Sequence, residues 1–279
     1  MNWFILALLA GLFFAGARVL SRAFLRTQGN ALAFTAIHDF VAGLVLLPFL
    51  FWHLKWPEHS ITWVYFAGIV ITAFLADWLS FVALKKIDVS LYQIINQVRH
   101  IFILIGGLLF FSEKITSIKI FAVVLISLGV IVAIFEKHKI TKNGIFITVL
   151  STLFAVGGFL FVKATVVDFS ETAAASLELL AIGLLSFSLL GFNPRTIMRE
   201  LSMQKWGLII SGVLFGGFEV SLFYALKVGE ASRVIPVTQS ALVFTLIGGI
   251  FLLGERTNIV TKIVGTVIIA SGILLLYIF

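Results

Sequence analysis

The chain is 279 residues long, 61% hydrophobic and 12% charged, with a mean hydropathy of +1.14, a balance that excludes a water-soluble globular domain. A net charge of +7 and a pI near 9.8 would point to nucleic acid in a soluble protein. Here the lysines and arginines punctuate apolar runs and read as topology signals, so no nucleic-acid partner is expected. The absence of cysteine excludes disulfides, thiolate metal sites and a cysteine nucleophile.

A bilayer core of about 30 Å takes roughly 20 apolar residues per helix. The first apolar stretch, Trp3 to Ala17, has no basic segment before it and carries Arg18, Arg22 and Arg26 after it, which reads as an uncleaved first span. Interruptions by charge, Pro, Gly and Asn then predict spans at 3–22, 31–52, 62–84, 89–111 and 117–135. The run Glu136-Lys137-His138-Lys139 is a solvated linker, and spans follow at 144–163, 172–191, 204–226, 231–253 and 259–278. The neighbourhoods of Pro57 and Pro194 read as loops. A transmembrane β-barrel would alternate apolar and polar residues, whereas Ile101 to Phe111 is apolar on every side.

Residues 83 to 113 set beside 225 to 255, at a constant shift of 142, give 11 identities. They include Ala83/Ala225, Lys85/Lys227, Ser90/Ser232, Gln97/Gln239, Gly106/Gly248, Gly107/Gly249 and Glu113/Glu255, and the same shift pairs Asp77 with Glu219. The expected fold is therefore an all-α membrane protein of ten transmembrane helices, built as two five-helix repeats, 1–139 and 140–279. An odd number of spans per half makes equivalent helices cross in opposite directions, the inverted-repeat arrangement of many secondary transporters. Loops after spans 1, 3, 5, 7 and 9 hold 13 Lys and Arg against 6 on the other side, which places both termini outside.

The stretch ALKVGEASRVIPVTQSALVFTLIGGIFLLGERTN and its copy ALKKIDVSLYQIINQVRHIFILIGGLLFFSEKIT resemble the EamA-type members of the drug/metabolite transporter superfamily. The duplicated AL…S…Q…GG…E pattern, the ten spans and the total length carry the resemblance over the whole chain. It implies a transporter with a central cavity lined by the first, third and fourth helices of each half. It also implies a small-molecule cargo drawn from amino acids, nucleotide sugars, drugs and other metabolites. The copies differ where Pro236 in the second replaces Ile94 in the first.

An ionised side chain at mid-bilayer costs on the order of 2.5 to 3.5 kcal/mol on insertion scales and so needs a partner, water or a purpose. Asp39 in span 2, Asp77 in span 3, Arg99 in span 4, Glu178 in span 7 and Glu219 in span 8 qualify, with His38 and His100 beside them. Gln93, Asn96, Gln97 and His100 recur at spacings of three and four on span 4 with Arg99 adjacent, a polar stripe that lines a cavity. The competing reading of the stripe is hydrogen-bonding glue between helices. Span 9 carries Arg233, Thr238, Gln239 and Ser240, and Arg99 has Ala241 as its counterpart. Arg99 is expected to receive a carboxylate or phosphate of the cargo, or else to neutralise Asp77.

Asp77 and Glu219, occupying the same place in the two copies, are candidates for proton coupling or for a helix-helix ion pair, with Asp39, His38 and Glu178 as further coupling candidates. Trp78 and Tyr224, beside the acidic pair, are cavity candidates; other aromatics near span ends are interface anchors. Glu113 and Glu255 close the fourth and ninth helices at short turns, where a structural role is expected, and the paired glycines serve packing. No nucleophile elbow, HExxH pair or aspartate cluster for a metal-diphosphate occurs, so no enzyme, metal or cofactor is expected. The remaining alternatives are a channel and a polytopic receptor or scaffold. The expected partners are a small solute, protons and the lipid bilayer, in a monomer or homodimer at a bacterial inner (plasma) membrane.

Overall fold

A computed structural model describes residues 2–24, 30–51, 54–84, 86, 92, 95–134, 142–244 and 259–278. Its elements are α1 (Trp3–Phe24), α2 (Ala31–Leu50), α3 (Ser60–Leu84), α4 (Arg99–Phe111), α5 (Ser117–Ile134), α6 (Lys142–Thr165), α7 (Glu171–Leu189), α8 (Pro194–Val228), α9 (Ala231–Val237) and α10 (Ile259–Ile278). Among the described residues there are no strands. Five of the described helices are long and apolar enough to cross a membrane: 31–50, 60–80, 142–165, 171–189 and 206–228. Shorter apolar helices cover 3–17, 99–111, 117–133 and 263–278.

Local chemistry sets the helix starts. The Asn30 side chain accepts from the backbone N–H of Leu32 (3.0 Å) and Ala33 (3.2 Å), satisfying donors that the first turn of α2 leaves open. Asn193 does the same for Arg195 and Thr196, with Pro194 at the first helical position. The loop expected near Pro194 lies at 190–193, and what is corrected is the start of the eighth span. Proline lacks the N–H that a first-turn residue cannot use, so it starts a 35-residue α8 ten residues ahead of the predicted edge.

Two further corrections concern spans 4 and 9, predicted as continuous. The fourth is interrupted by a turn at Gln97 and Val98, after helical residues at 95–96; the ninth is interrupted at Thr238 and Gln239, before helix resumes at 240–244. Pro236 stands two residues before the second break and removes the backbone donor that would reach Ser232, which weakens the helix leading into the turn. The first break has no proline, and its counterpart Ile94 lies outside the described residues.

The helices pack as α3 on α6, α1 on α8, α2 on α7 and α8, α5 on α10, and α4 on α6 and α9. Lipid tails are as apolar as leucine, so close packing rather than water exclusion holds such helices together. Small residues stand where pairs cross. A Cβ on Gly43 would lie 2.8 Å from the Leu180 backbone nitrogen, and one on Gly212 would lie 2.9 Å from the His38 carbonyl oxygen. The core is aliphatic and aromatic, with Ile69, Ile103, Phe169, Leu222, Phe223, Leu226 and Ile269 fully enclosed. Phe110, Phe121, Trp206, Val213 and Val260 are exposed on the outside, a surface suited to hydrocarbon.

Outside the spans, Asp168 ties the loop after α6 to the loop before α3. Its carboxylate accepts from the His59 backbone N–H (3.0 Å), the Thr62 hydroxyl (3.1 Å), the His59 ring (3.2 Å) and the Lys55 ammonium (3.4 Å). The His59 N–H above all, with Thr62, the ring and Lys55, outweighs burial and holds Asp168 far below the usual carboxylate range. Glu58 and then Asp168 raise Lys55. A carboxyl depressed in the folded state stabilises the fold above its unfolded pKa of about 3.9 and loses that contribution as pH falls below it. Melting temperature should therefore drop between about pH 4 and pH 2, and Asp168→Asn should lower it at neutral pH and flatten the acid limb.

Candidate functional site at the two helix breaks

At both breaks the backbone tightens to three-residue hydrogen bonds, His100 N–H to the Gln97 carbonyl at 3.1 Å and Gln239 N–H to the Pro236 carbonyl at 3.0 Å, and irregular helix at membrane depth occurs where it lines a cavity or is covered by protein. In this fold α4 and α9 pack together, and the two breaks meet there. With its amide oriented to satisfy both atoms, the Gln239 carbonyl accepts from the Arg99 guanidinium, Nε at 3.2 Å and the terminal nitrogen closer still. Arg99 is the first residue of α4 and is half-buried. His100, next to it, is fully enclosed, and neither ring nitrogen has a hydrogen-bond partner among the described residues. Gln97 and Gln239 are both buried at the turns.

Helices α1 and α6 close this crossing. The Thr152 hydroxyl of α6 donates to Asn96 Oδ1 at 3.1 Å, and the neighbouring Ser151 donates to the Ala76 carbonyl of α3 at 2.8 Å. On the other side α1 approaches so closely that a Cβ on Gly11 would fall on the Ser240 hydroxyl and 3.0 Å from the Ala241 nitrogen. Thr152 and Ser151 were not singled out from the sequence. Two adjacent hydroxyls midway along a mostly apolar helix were the available signal. Thr238 turns its hydroxyl back to the Ile235 carbonyl at 2.7 Å, within α9. Gln93 lies outside the described residues.

The acidic residues form a second group. Asp39, Asp77, Glu178 and Glu219, from α2, α3, α7 and α8, lie within electrostatic reach of one another. Asp39 and Glu178 are both buried, and each has one carboxylate oxygen without a hydrogen bond among the described residues. His38 Nδ1 sits 2.8 Å from Asp39 Oδ1, its ring stacked on Phe34 at 5.4 Å and tilted against Phe215 at 4.7 Å. Tyr224 lies further along α8 than Glu219, its hydroxyl 3.3 Å from that of Thr172. Trp78 falls elsewhere. It shares a seven-residue stripe on α3 with Val64 and Ile71, all exposed (41%, 61% and 56%), and stacks on Phe74 at 6.4 Å. That face is about 100° round the helix from Asp77.

An all-helical bundle with an apolar exterior, several helices long enough to span a bilayer and its polar groups gathered inside is a multi-pass membrane protein. The model of the EamA-like transporter family matches residues 1–135 and 142–278, and the chain belongs to that family. A Sinorhizobium protein named as an uncharacterized transporter in the cobO 3′ region is 37% identical over 29% of this chain and 57% of its own length. A Listeria monocytogenes protein with the provisional name sugar uptake protein is 26% identical over 54% of each chain. The chain thus spans little more than half the length of these curated relatives. A solved crystal structure has the same fold, with a TM-score of 0.75, 13% identity, and coverage of 99% of this chain and 98% of that one.

Proposed function

We propose that this chain is a secondary transporter that moves a small polar or amphipathic metabolite bearing a carboxylate or phosphate, by alternating access between two inverted five-helix halves, 1–139 and 140–279. The observation that carries the reading is the contact between Arg99 and Gln239 where the two broken helices cross. The helix pairings support the two-half arrangement. Exchanging α1–α5 with α6–α10 turns the α3–α6 pair into the α8–α1 pair and leaves α2–α7, α4–α9 and α5–α10 unchanged. The breaks overlap under the shift of 142 at one residue of each, Gln97 and Gln239.

Arg99, Asn96, Gln97, His100, Gln239 and Thr238 bind the solute in this reading. Arg99 supplies the planar fork that recognises a carboxylate or phosphate bidentately. Asp77 and Glu219, with Asp39, His38 and Glu178, carry the coupling protons; four carboxylates sharing one interior favour exchange of protons over four fixed charges. Asp77→Asn and Glu219→Gln are expected to abolish stimulation of uptake by a pH gradient, and full retention of that stimulation by both would remove the coupling. Two fused halves make a monomer sufficient, and the bacterial relatives support a plasma-membrane location.

The test is solute counterflow in proteoliposomes, screened over amino acids, organic phosphates, amphipathic drugs and, because of the Listeria relative's name, neutral sugars. Saturable counterflow of a preloaded anionic or zwitterionic solute is expected. Unsaturable flux without counterflow would make the protein a channel instead.

A further inference from the structure

At the end of the bundle where α3 and α7 begin, charged groups from both halves grip the turn between α8 and α9. Glu113, in the turn after α4, is 6% exposed, and its two oxygens accept from the backbone N–H groups of Ala231 (2.7 Å) and Ser232 (3.0 Å). Lys119, in the first turn of α5, is 2% exposed. Its ammonium donates to the Glu230 carboxylate at 2.5 Å and to the Lys114 carbonyl at 2.7 Å, with the Ser232 hydroxyl at 3.4 Å. From α6, Lys163 donates to the carbonyls of Leu226 and Gly229 that close α8, and Arg233 Nε lies 2.9 Å from Glu230.

The charges are matched to the backbone. A carboxylate sits on the open N–H groups that start α9, and an ammonium sits on the open carbonyls that end α8. A second ammonium holds the glutamate between them. Helix α9 is seven residues long, so fixing its start also fixes the Thr238–Gln239 break that meets Arg99. At the shift of 142 the acidic and hydroxyl members recur, Glu255 for Glu113, Asp88 for Glu230 and Ser90 for Ser232, whereas Lys119 has Thr261 and Lys163 has Ser21 as its counterpart. Both ammonium groups are thus particular to this end of the molecule.

We propose that Glu113, Lys119, Glu230 and Lys163 form a clamp that keeps this end of the molecule shut and that must release for the site to open there. The clamp rests on the alternating-access reading, and the two are separable by experiment. Because the chain has no cysteine, Thr238→Cys provides a reporter at the break without background. An impermeant maleimide is applied to each face of proteoliposomes holding the full chain. With the clamp intact, the reporter should label from the opposite face and slowly from the clamp face. Lys119→Met and Glu230→Gln should each raise the clamp-face rate by about tenfold or more, while Lys119→Arg keeps the slow rate and so controls for misfolding. Labelling from the opposite face with clamp-face rates unmoved by both substitutions would overturn the clamp. Labelling from neither face in any variant would overturn alternating access, and the clamp with it.

Discussion

Replacing Arg99 with alanine is expected to lower transport of an anionic or zwitterionic solute by about 10- to 100-fold, because a hydrogen-bonded contact to a charged group contributes about 1.5–3 kcal/mol. The side chain is placed for this role. It begins α4 at the break, it meets Gln239 of the other half, and the position equivalent to it in the second copy is Ala241. Arg99→Lys keeps the charge but loses the planar fork, so intermediate transport is expected. If Arg99 instead serves only to neutralise Asp77, Arg99→Ala is rescued by adding Asp77→Asn, since both charges then leave together. Counterflow of the solute identified by the screen, compared across the four proteins, separates the two roles. An Arg99→Ala protein that folds and transports normally would sink the substrate-binding reading.

Gly265→Val is expected to cost about 3 kcal/mol or more, the upper range for overpacking, and to lower the melting temperature in detergent by roughly 6 °C or more. A Cβ at Gly265 would stand 2.5 Å from the Ala133 Cβ and 2.6 Å from its Cα and backbone nitrogen, so the obstacle is main chain that no rotamer change removes. Gly129 and Gly272 make the same contact elsewhere along α5 and α10, with Cβ positions 2.8 Å from the Ile269 nitrogen and 2.9 Å from the Ala122 carbonyl. Separating these helices pulls apart the last helix of each half. Gly157→Ala is the control. The nearest atom to its Cβ is the Thr72 methyl at 3.4 Å, an ordinary contact, and its melting temperature should stay close to that of the parent.

Where the sequence read well, one physical quantity dominated. Apolar runs of bilayer length located the helices to within a few residues at most edges, as with 31–52 against Ala31–Leu50 and 172–191 against Glu171–Leu189. It read less well where two local effects compete. Pro194 is a breaker inside a helix but a good first residue, and only the Asn193 cap beside it selects the second role. The break at Gln97–Val98 has no local cause in the described residues; the polar stripe around it marked a special segment without revealing that the helix turns there. Trp78, adjacent to Asp77 in sequence, faces another direction because neighbours in a helix do not share a face.

The residues alone determined that this chain lives in a bilayer, because hydropathy is a property of a one-dimensional string. Which polar groups meet was decided in three dimensions. Thr152 reaches Asn96 across 56 positions, Glu113 caps a helix start 118 positions away, and Arg99 finds Gln239 from the opposite half. In an apolar solvent backbone donors and acceptors must be satisfied inside the protein, and which side chains meet depends on how closely glycine-lined helices approach, a distance no linear pattern encodes.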